Sequence, residues 1–307
     1  MQKPTAVKND EIPLAKGIQQ SRKLPDPELG ALWDSIVLDA AIKEQLLSQA
    51  VLNFTLRPKV KRSVLPLHGA ILLVGPPGTG KTSLAKGLAH RVAESFKGAG
   101  FRLLEVEPHT LTSSSMGKTQ RAVSELFSQS IAEAAHLGPT IVLLDEVETL
   151  AADRSRMSMD ANPIDIHRAT DAVLVQLDLL AEQHPNLLFV ATSNFPKAVD
   201  TAFISRCDLV LHIPLPDETA CKRILVDCLG GLSKVFLSLS SLLHDKGLDA
   251  CAKACTGLDG RSIRKLVASA LSSSKEVALD PGKLTIADLL AAAKRAKAGQ
   301  SFNGGGA

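Results

Sequence analysis

Apolar residues fall into two alternating rhythms along this chain. Short unbroken runs, A-I-L-L-V at 70–74, I-V-L-L just before Asp145 and L-L-F-V-A-T-S-N ending at Asn194, alternate with longer segments in which apolar residues recur every three or four positions. The first rhythm predicts strands buried on both faces, the second helices packed against them. A helix is expected over 32–56, with Ile42, Leu46, Ala50 and Phe54 on one stripe. After the strand at 70–74, a second helix carries Leu84, Leu88, Val92 and Phe96. A short strand near 101–106, a helix over about 119–136 with Ala122, Leu126 and Ile131 inward, and a helix over about 165–182 complete the alternation. Strands alternating with helices imply an α/β fold with a parallel sheet covered on both sides.

Outside that region the pattern changes. Residues 1–28 are rich in Pro, Lys and Gln without periodicity and are expected to form a flexible arm. Beyond Pro214-Leu-Pro216 the chain turns to Ala-, Leu- and Ser-rich helices, and the tail S-F-N-G-G-G-A is expected to be disordered. The expected layout is an arm over 1–28, a large α/β domain over 29–215, a small helical domain over 216–297 and a disordered tail over 298–307.

Composition narrows the class without naming an activity. With 307 residues, 45% hydrophobic and 22% charged, the chain has the balance of an ordinary globular protein. A net charge of +3 and the lack of any long like-charge block give no electrostatic case for nucleic-acid binding. No apolar run is long enough to span a membrane and the first residues lack the apolar core of a signal peptide, so the expected location is cytoplasmic. The five cysteines, Cys207, Cys221, Cys228, Cys251 and Cys255, lack zinc-ligand spacing and are expected to be buried free thiols.

The chemistry lies at the ends of the predicted strands. Gly75-Pro76-Pro77-Gly78-Thr79-Gly80-Lys81-Thr82 follows one strand and opens a helix, the order in which glycines let backbone N–H groups turn toward phosphates. In this pattern Lys81 supplies a charge to the β- and γ-phosphates, and Thr82 a hydroxyl ligand for Mg²⁺, so ATP with Mg²⁺ is the expected cofactor pair. A second apolar strand delivers Asp145 and Glu146. Asp145 is expected to hold the metal and Glu146 to polarise the water attacking the γ-phosphate. Asn194, polar at the end of a buried strand, suits the placing of that water. All of these fall at strand carboxyl ends, where sheets of this class bind ligands. Arg206 follows in D-T-A-F-I-S-R and is expected to reach a phosphate bound by a neighbouring subunit. Arg261, at the start of a helix in the second domain, faces the same nucleotide, with Arg264 one turn on as its competitor.

With these residues in place the chain resembles the AAA+ ATPases, and closely their pachytene-checkpoint branch, the remodellers of HORMA-domain proteins. The resemblance covers about residues 31–297 and rests on L-W-D-S-I-V near Trp33, G-P-P-G-T-G-K-T-S-L, L-L-D-E-V-E-T-L, A-V-L-V-Q-L-D, T-S-N and G-L-D-G-R-S-I-R-K-L. It implies a three-layer αβα nucleotide-binding domain followed by a helical lid. The phosphate loop through Ser83 becomes Walker A, Asp145 and Glu146 Walker B, Asn194 sensor 1, Arg206 the arginine finger and Arg261 sensor 2. Ile36 and Val37 would pack near adenine. The family also implies a homohexamer with a central pore that pulls on a HORMA-domain client.

Two departures from the family pattern matter. Only about 30 unpatterned residues precede the core where eukaryotic members carry an adaptor-binding domain, and the pore-loop aromatic is replaced by Met116 in T-S-S-S-M-G-K. The short form resembles bacterial members that accompany HORMA proteins and nucleotide second-messenger synthases in defence against phage. The alternative function is a nucleic-acid motor or clamp-loader-like ATPase, which the small net charge disfavours.

Overall fold

The computed structural model describes residues 17–107, 118–152 and 163–303. A six-stranded sheet forms its centre, comprising β1 (Ile18–Lys23), β2 (Ala70–Val74), β3 (Arg102–Val106), β4 (Thr140–Leu144), β5 (Leu187–Ser193) and β6 (Leu209–His212), in the order β1-β3-β4-β5-β2-β6. Strands β3, β4, β5, β2 and β6 are parallel, while β1 pairs antiparallel with β3 at one edge. The expected parallel sheet carries one antiparallel edge strand. This edge also corrects the reading of 1–28 as a flexible arm, because 18–23 are paired and a helix starts at Pro27. The polar run I-Q-Q-S-R-K escapes a search for apolar strands because an edge strand keeps its polar residues in water.

Two helical layers cover the sheet. On one face α1 (Pro27–Ser35), α2 (Ala40–Leu56) and α3 (Lys81–Ser95) pack with Ile71, Leu73, Leu188 and Val190. On the other, α4 (Lys118–Glu125), a π-turn over Leu126–Ile131, α5 (Ala132–Leu137) and α6 (Pro163–Gln183) pack against Leu72, Val142 and Phe189. The π-turn lies inside the helix expected at 119–136 and buries Leu126, Phe127 and Ile131, with Phe127 stacked on Phe189 at 5.7 Å. The helix expected over 32–56 is interrupted: Ile36 is extended, and Asp39 caps α2 by accepting from the Ala41 N–H at 2.7 Å. Residues 36–39 thus form a strap beside the phosphate loop, with Ile36 against Gly80.

A short α7 (Thr201–Ile204) joins β5 to β6, and Pro214–Pro216 lead out of the sheet. The lid that follows contains α8 (Glu218–Ser233), α9 (Gly247–Cys255), α10 (Gly260–Leu271), α11 (Lys275–Leu279) and α12 (Ile286–Asn303), around a core of Cys221, Leu225, Cys251, Leu266 and Leu289. Helix α12 runs to Asn303, so the tail expected to be disordered from 298 is helical that far. All five cysteines are free, with Cys221, Cys251 and Cys255 buried in the lid; burial pushes the Cys255 thiol up to about 12 and Cys221 to about 11. Among the described residues no helix is long and apolar enough to cross a membrane.

Candidate active site

The loop between β2 and α3 is built from residues that only its backbone path explains. Gly78 and Gly80 have φ of 78° and 88°, the left-handed region that glycine enters without steric cost. Gly80 caps α3 without a side-chain hydrogen bond, so the first turn of that helix directs its N–H groups at the loop. Thr79 braces the loop by donating to the Pro76 carbonyl at 2.9 Å, while Pro77 is exposed at its tip.

Lys81, 5% exposed, donates to the carbonyls of Gly75 at 2.9 Å and Pro76 at 2.8 Å, and to Asn194 Oδ1 at 2.7 Å. Burial lowers its pKa, against which Glu148, Asp145 and Glu146 act in that order. Asn194 then donates from Nδ2 to Glu146 Oε1 at 3.1 Å. Thr82 donates to Asp145 Oδ1 at 2.8 Å. Through the Thr192 hydroxyl, which bridges Asp145 and the Glu146 N–H, these contacts form one set that joins the phosphate-loop lysine, both carboxylates of the β4 end and the asparagine of the β5 end. The expected residues Lys81, Thr82, Asp145, Glu146 and Asn194 meet in one place.

Two residues of this set were not foreseen. Glu148 accepts from the Asn194 N–H at 3.1 Å through Oε1, and its Oε2 is buried without a hydrogen-bond partner among the described residues. Thr192, 2% exposed, donates to Asp145 Oδ1 at 2.5 Å and accepts the Glu146 N–H at 3.1 Å. Its signal was a hydroxyl inside a fully buried run, L-L-F-V-A-T-S. Glu146 is the single non-glycine residue with positive φ among those described, at φ 52° and ψ 55°. Holding a residue in that conformation costs on the order of 1–3 kcal/mol, a cost that surrounding contacts must offset.

The residues fit Mg²⁺. A threonine hydroxyl and a carboxylate are hard oxygen donors, and among the described residues no group of three or more His, Cys, Asp or Glu side chains converges on a metal position. An ion that keeps its waters and shares phosphate oxygens needs no such cage.

A cavity of about 450 Å³ lies between the large domain and the lid. Ile36, Val37, Gly78, Thr79, Gly80, Ser83 and Arg261 all line it, so the residues expected around the base, the phosphate loop and the lid arginine share one space. Arg261 also donates its backbone N–H to the Gly78 carbonyl at 3.2 Å. Arg264 lines the same cavity but spends its guanidinium elsewhere, on the Ser35 carbonyl at 2.9 Å and Cys228 Sγ at 3.5 Å. It ties the lid to the end of α1, while Arg261 and Lys265 also line the cavity from the lid side.

Arg206 is not brought to this site. It forms an ion pair with Asp178 at 2.8 Å and donates to the Ala202 carbonyl at 2.8 Å. Two residues on, Asp208 accepts from the N–H groups of His68, Gly69 and Ala70, at the amino end of β2. The phosphate loop leaves the other end of β2, about 16 Å away along a five-residue strand. The Arg206 hydrogen bond holds the Asp178 carboxyl below its usual range. Met116 lies outside the described residues.

A phosphate loop at a strand-to-helix turn after β2, paired carboxylates at the end of β4, one strand removed across β5, and a helical lid define a P-loop nucleotide-binding protein. The family model described as "ATPase family associated with various cellular activities (AAA)" matches residues 71–215. CD-NTase-associated protein 6 of Pseudomonas aeruginosa is 69% identical over 94% of this chain and 95% of its own length. The human pachytene checkpoint protein 2 homolog is 32% identical over 79% of this chain, which spans 61% of that protein. Among solved structures, C. elegans PCH-2 superposes with a TM-score of 0.74 at 26% identity, covering 93% of this chain and 77% of that one. The E. coli MS115-1 HORMA:CdnC:Trip13 complex contains a chain of the same fold, with a TM-score of 0.74 at 19% identity, covering 91% of this chain and 95% of its own. The chain belongs to the AAA ATPases, in the branch that holds the Pseudomonas protein and the pachytene checkpoint homologues. Nucleotide binding and ATPase activity come with that family.

Proposed function

We propose that the chain is an ATP-driven remodeller of a HORMA-domain signalling complex in anti-phage defence, working as a homohexamer. The observation that carries the ATPase half is the continuous contact from Lys81 through Asn194 to Glu146. Lys81 meets the β- and γ-phosphates, and Thr82 with Asp145 holds Mg²⁺, which when bound neutralises charge on the phosphate oxygens. Glu146 accepts the proton of the attacking water, and Asn194 holds Glu146 in place while touching the lysine that marks the phosphate. Ile36 and Val37 flank the base, and Arg261 brings the lid against the nucleotide. The distance of Arg206 from the loop of its own chain favours action on a neighbour's nucleotide, with Asp178 aiming the guanidinium.

The client is supported by association. The Pseudomonas relative is named for a CD-NTase, and the E. coli assembly joins a HORMA protein and CdnC to a chain of this fold. By the family resemblance Met116 belongs to the pore loop, where its flexible, polarizable side chain would grip the client. The test is the ATPase rate alone, with a HORMA-domain protein, with single-stranded DNA and with duplex DNA. Several-fold stimulation by the HORMA protein alone is expected; stimulation by nucleic acid instead would move the chain to the motor class.

A further inference from the structure

We propose that Thr192 is a positioning residue for hydrolysis, a hydroxyl relay that locks the peptide of Glu146 to the carboxylate of Asp145. The inference rests on the assignment of Glu146 as the carboxylate that activates water.

The direction of each hydrogen bond follows from chemistry. A backbone N–H can only donate, so Thr192 Oγ1 accepts from Glu146 at 3.1 Å. An ionised carboxylate can only accept, so the single hydroxyl proton of Thr192 goes to Asp145 Oδ1 at 2.5 Å. Thr82 already gives its proton to the same oxygen at 2.8 Å. One buried hydroxyl therefore links two successive residues of β4's carboxyl end through the neighbouring strand β5. The second of those residues holds the left-handed conformation that no other described non-glycine residue adopts. That conformation turns the Glu146 carboxylate toward Asn194 Nδ2 at 3.1 Å. Thr192 touches no position from which it could itself meet phosphate or water, since it is 2% exposed beneath the carboxylates. Its work is to keep Glu146 where its proton transfer is productive, and small misplacements of such groups lower rates about a hundredfold.

Thr192→Val keeps the shape and removes the hydroxyl, Thr192→Ala removes the hydroxyl and the methyl together, and Thr192→Ser keeps the hydroxyl without the methyl. The expected result for Val and Ala is a kcat lowered tenfold to a hundredfold, with KM for ATP and nucleotide affinity in EDTA within about threefold of wild type. Ser should return most of the rate. Amide hydrogen exchange at Glu146 should accelerate in Val and Ala but not in Ser, a readout independent of turnover. Added to Glu146→Gln, Thr192→Val should lower the residual rate no further, because the relay acts through the missing carboxylate. Wild-type kcat in both Val and Ala, a loss expressed mainly in KM, or a full additional loss on top of Glu146→Gln would each overturn the role. If Glu146→Gln itself turns over ATP normally, the underlying assignment falls instead. Should Val fail to fold, the Ala and Ser pair decides.

Discussion

Lys81 and Glu146 sit at opposite ends of one hydrogen-bonded chain, yet their substitutions should separate binding from chemistry. Removing the ammonium of Lys81 takes away a charge that faces phosphate, so Lys81→Ala should weaken ATP affinity by about tenfold or more, the size of a lost charge-assisted hydrogen bond. Glu146→Gln keeps the shape and the contact with Asn194 but loses the base, so affinity should hold while turnover falls by about 100-fold or more. Fluorescent-nucleotide titration beside steady-state rates checks both; equal effects of the two variants on affinity would break the assignment of roles. Lys81, Thr82, Asp145 and Glu146 were legible because their types and spacing are dictated by phosphate chemistry. Thr192 and Glu148 were not, because their roles depend on which strands lie side by side, and β4 next to β5 is a fact of sheet order rather than of local sequence.

At the scale of elements, the apolar runs that became β2, β4 and β5 were readable because buried parallel strands are apolar on both faces. The elements missed were β1 and β6, a polar edge strand and a four-residue strand, and the break between α1 and α2. Helical periodicity runs straight through L-W-D-S-I-V-L-D, and only the Asp39 cap marks the interruption that delivers Ile36 and Val37 to the cavity. The packing of α1 on α3 is close: a Cβ added to Gly87 would stand 2.6 Å from the Trp33 Cβ and 2.7 Å from its backbone nitrogen. Gly87→Ala must therefore push α1 and its strap outward, at a cost of about 1–3 kcal/mol. Thermal unfolding should show that loss, and ATP affinity should drop with it because the strap lines the nucleotide cavity. An unshifted melting temperature would mean that α1 yields without strain.

For the whole molecule, the lid and the large domain line one cavity while Arg206 lies away from it, as the proposed action on a neighbouring subunit's nucleotide requires. Mixed assembly tests this. Arg206→Ala subunits should bind ATP normally but lose turnover by about 10³-fold, the scale of arginines supplied in trans in GTPases. Combined with Lys81→Ala subunits, they should regain activity wherever an intact arginine faces an intact loop. Mixed rings that form but stay inactive would return Arg206 to the role of an intrasubunit ion pair with Asp178.

The central claim is that ATP hydrolysis at this site does mechanical work on a HORMA-domain protein. Hydrogen exchange of that client, followed during turnover, measures it most directly. With the wild-type chain and ATP, one segment of the client should lose protection, and with Glu146→Gln and ATP the client should bind yet keep its protection. A client that stays fully protected while the wild-type chain hydrolyses ATP beside it would contradict the account.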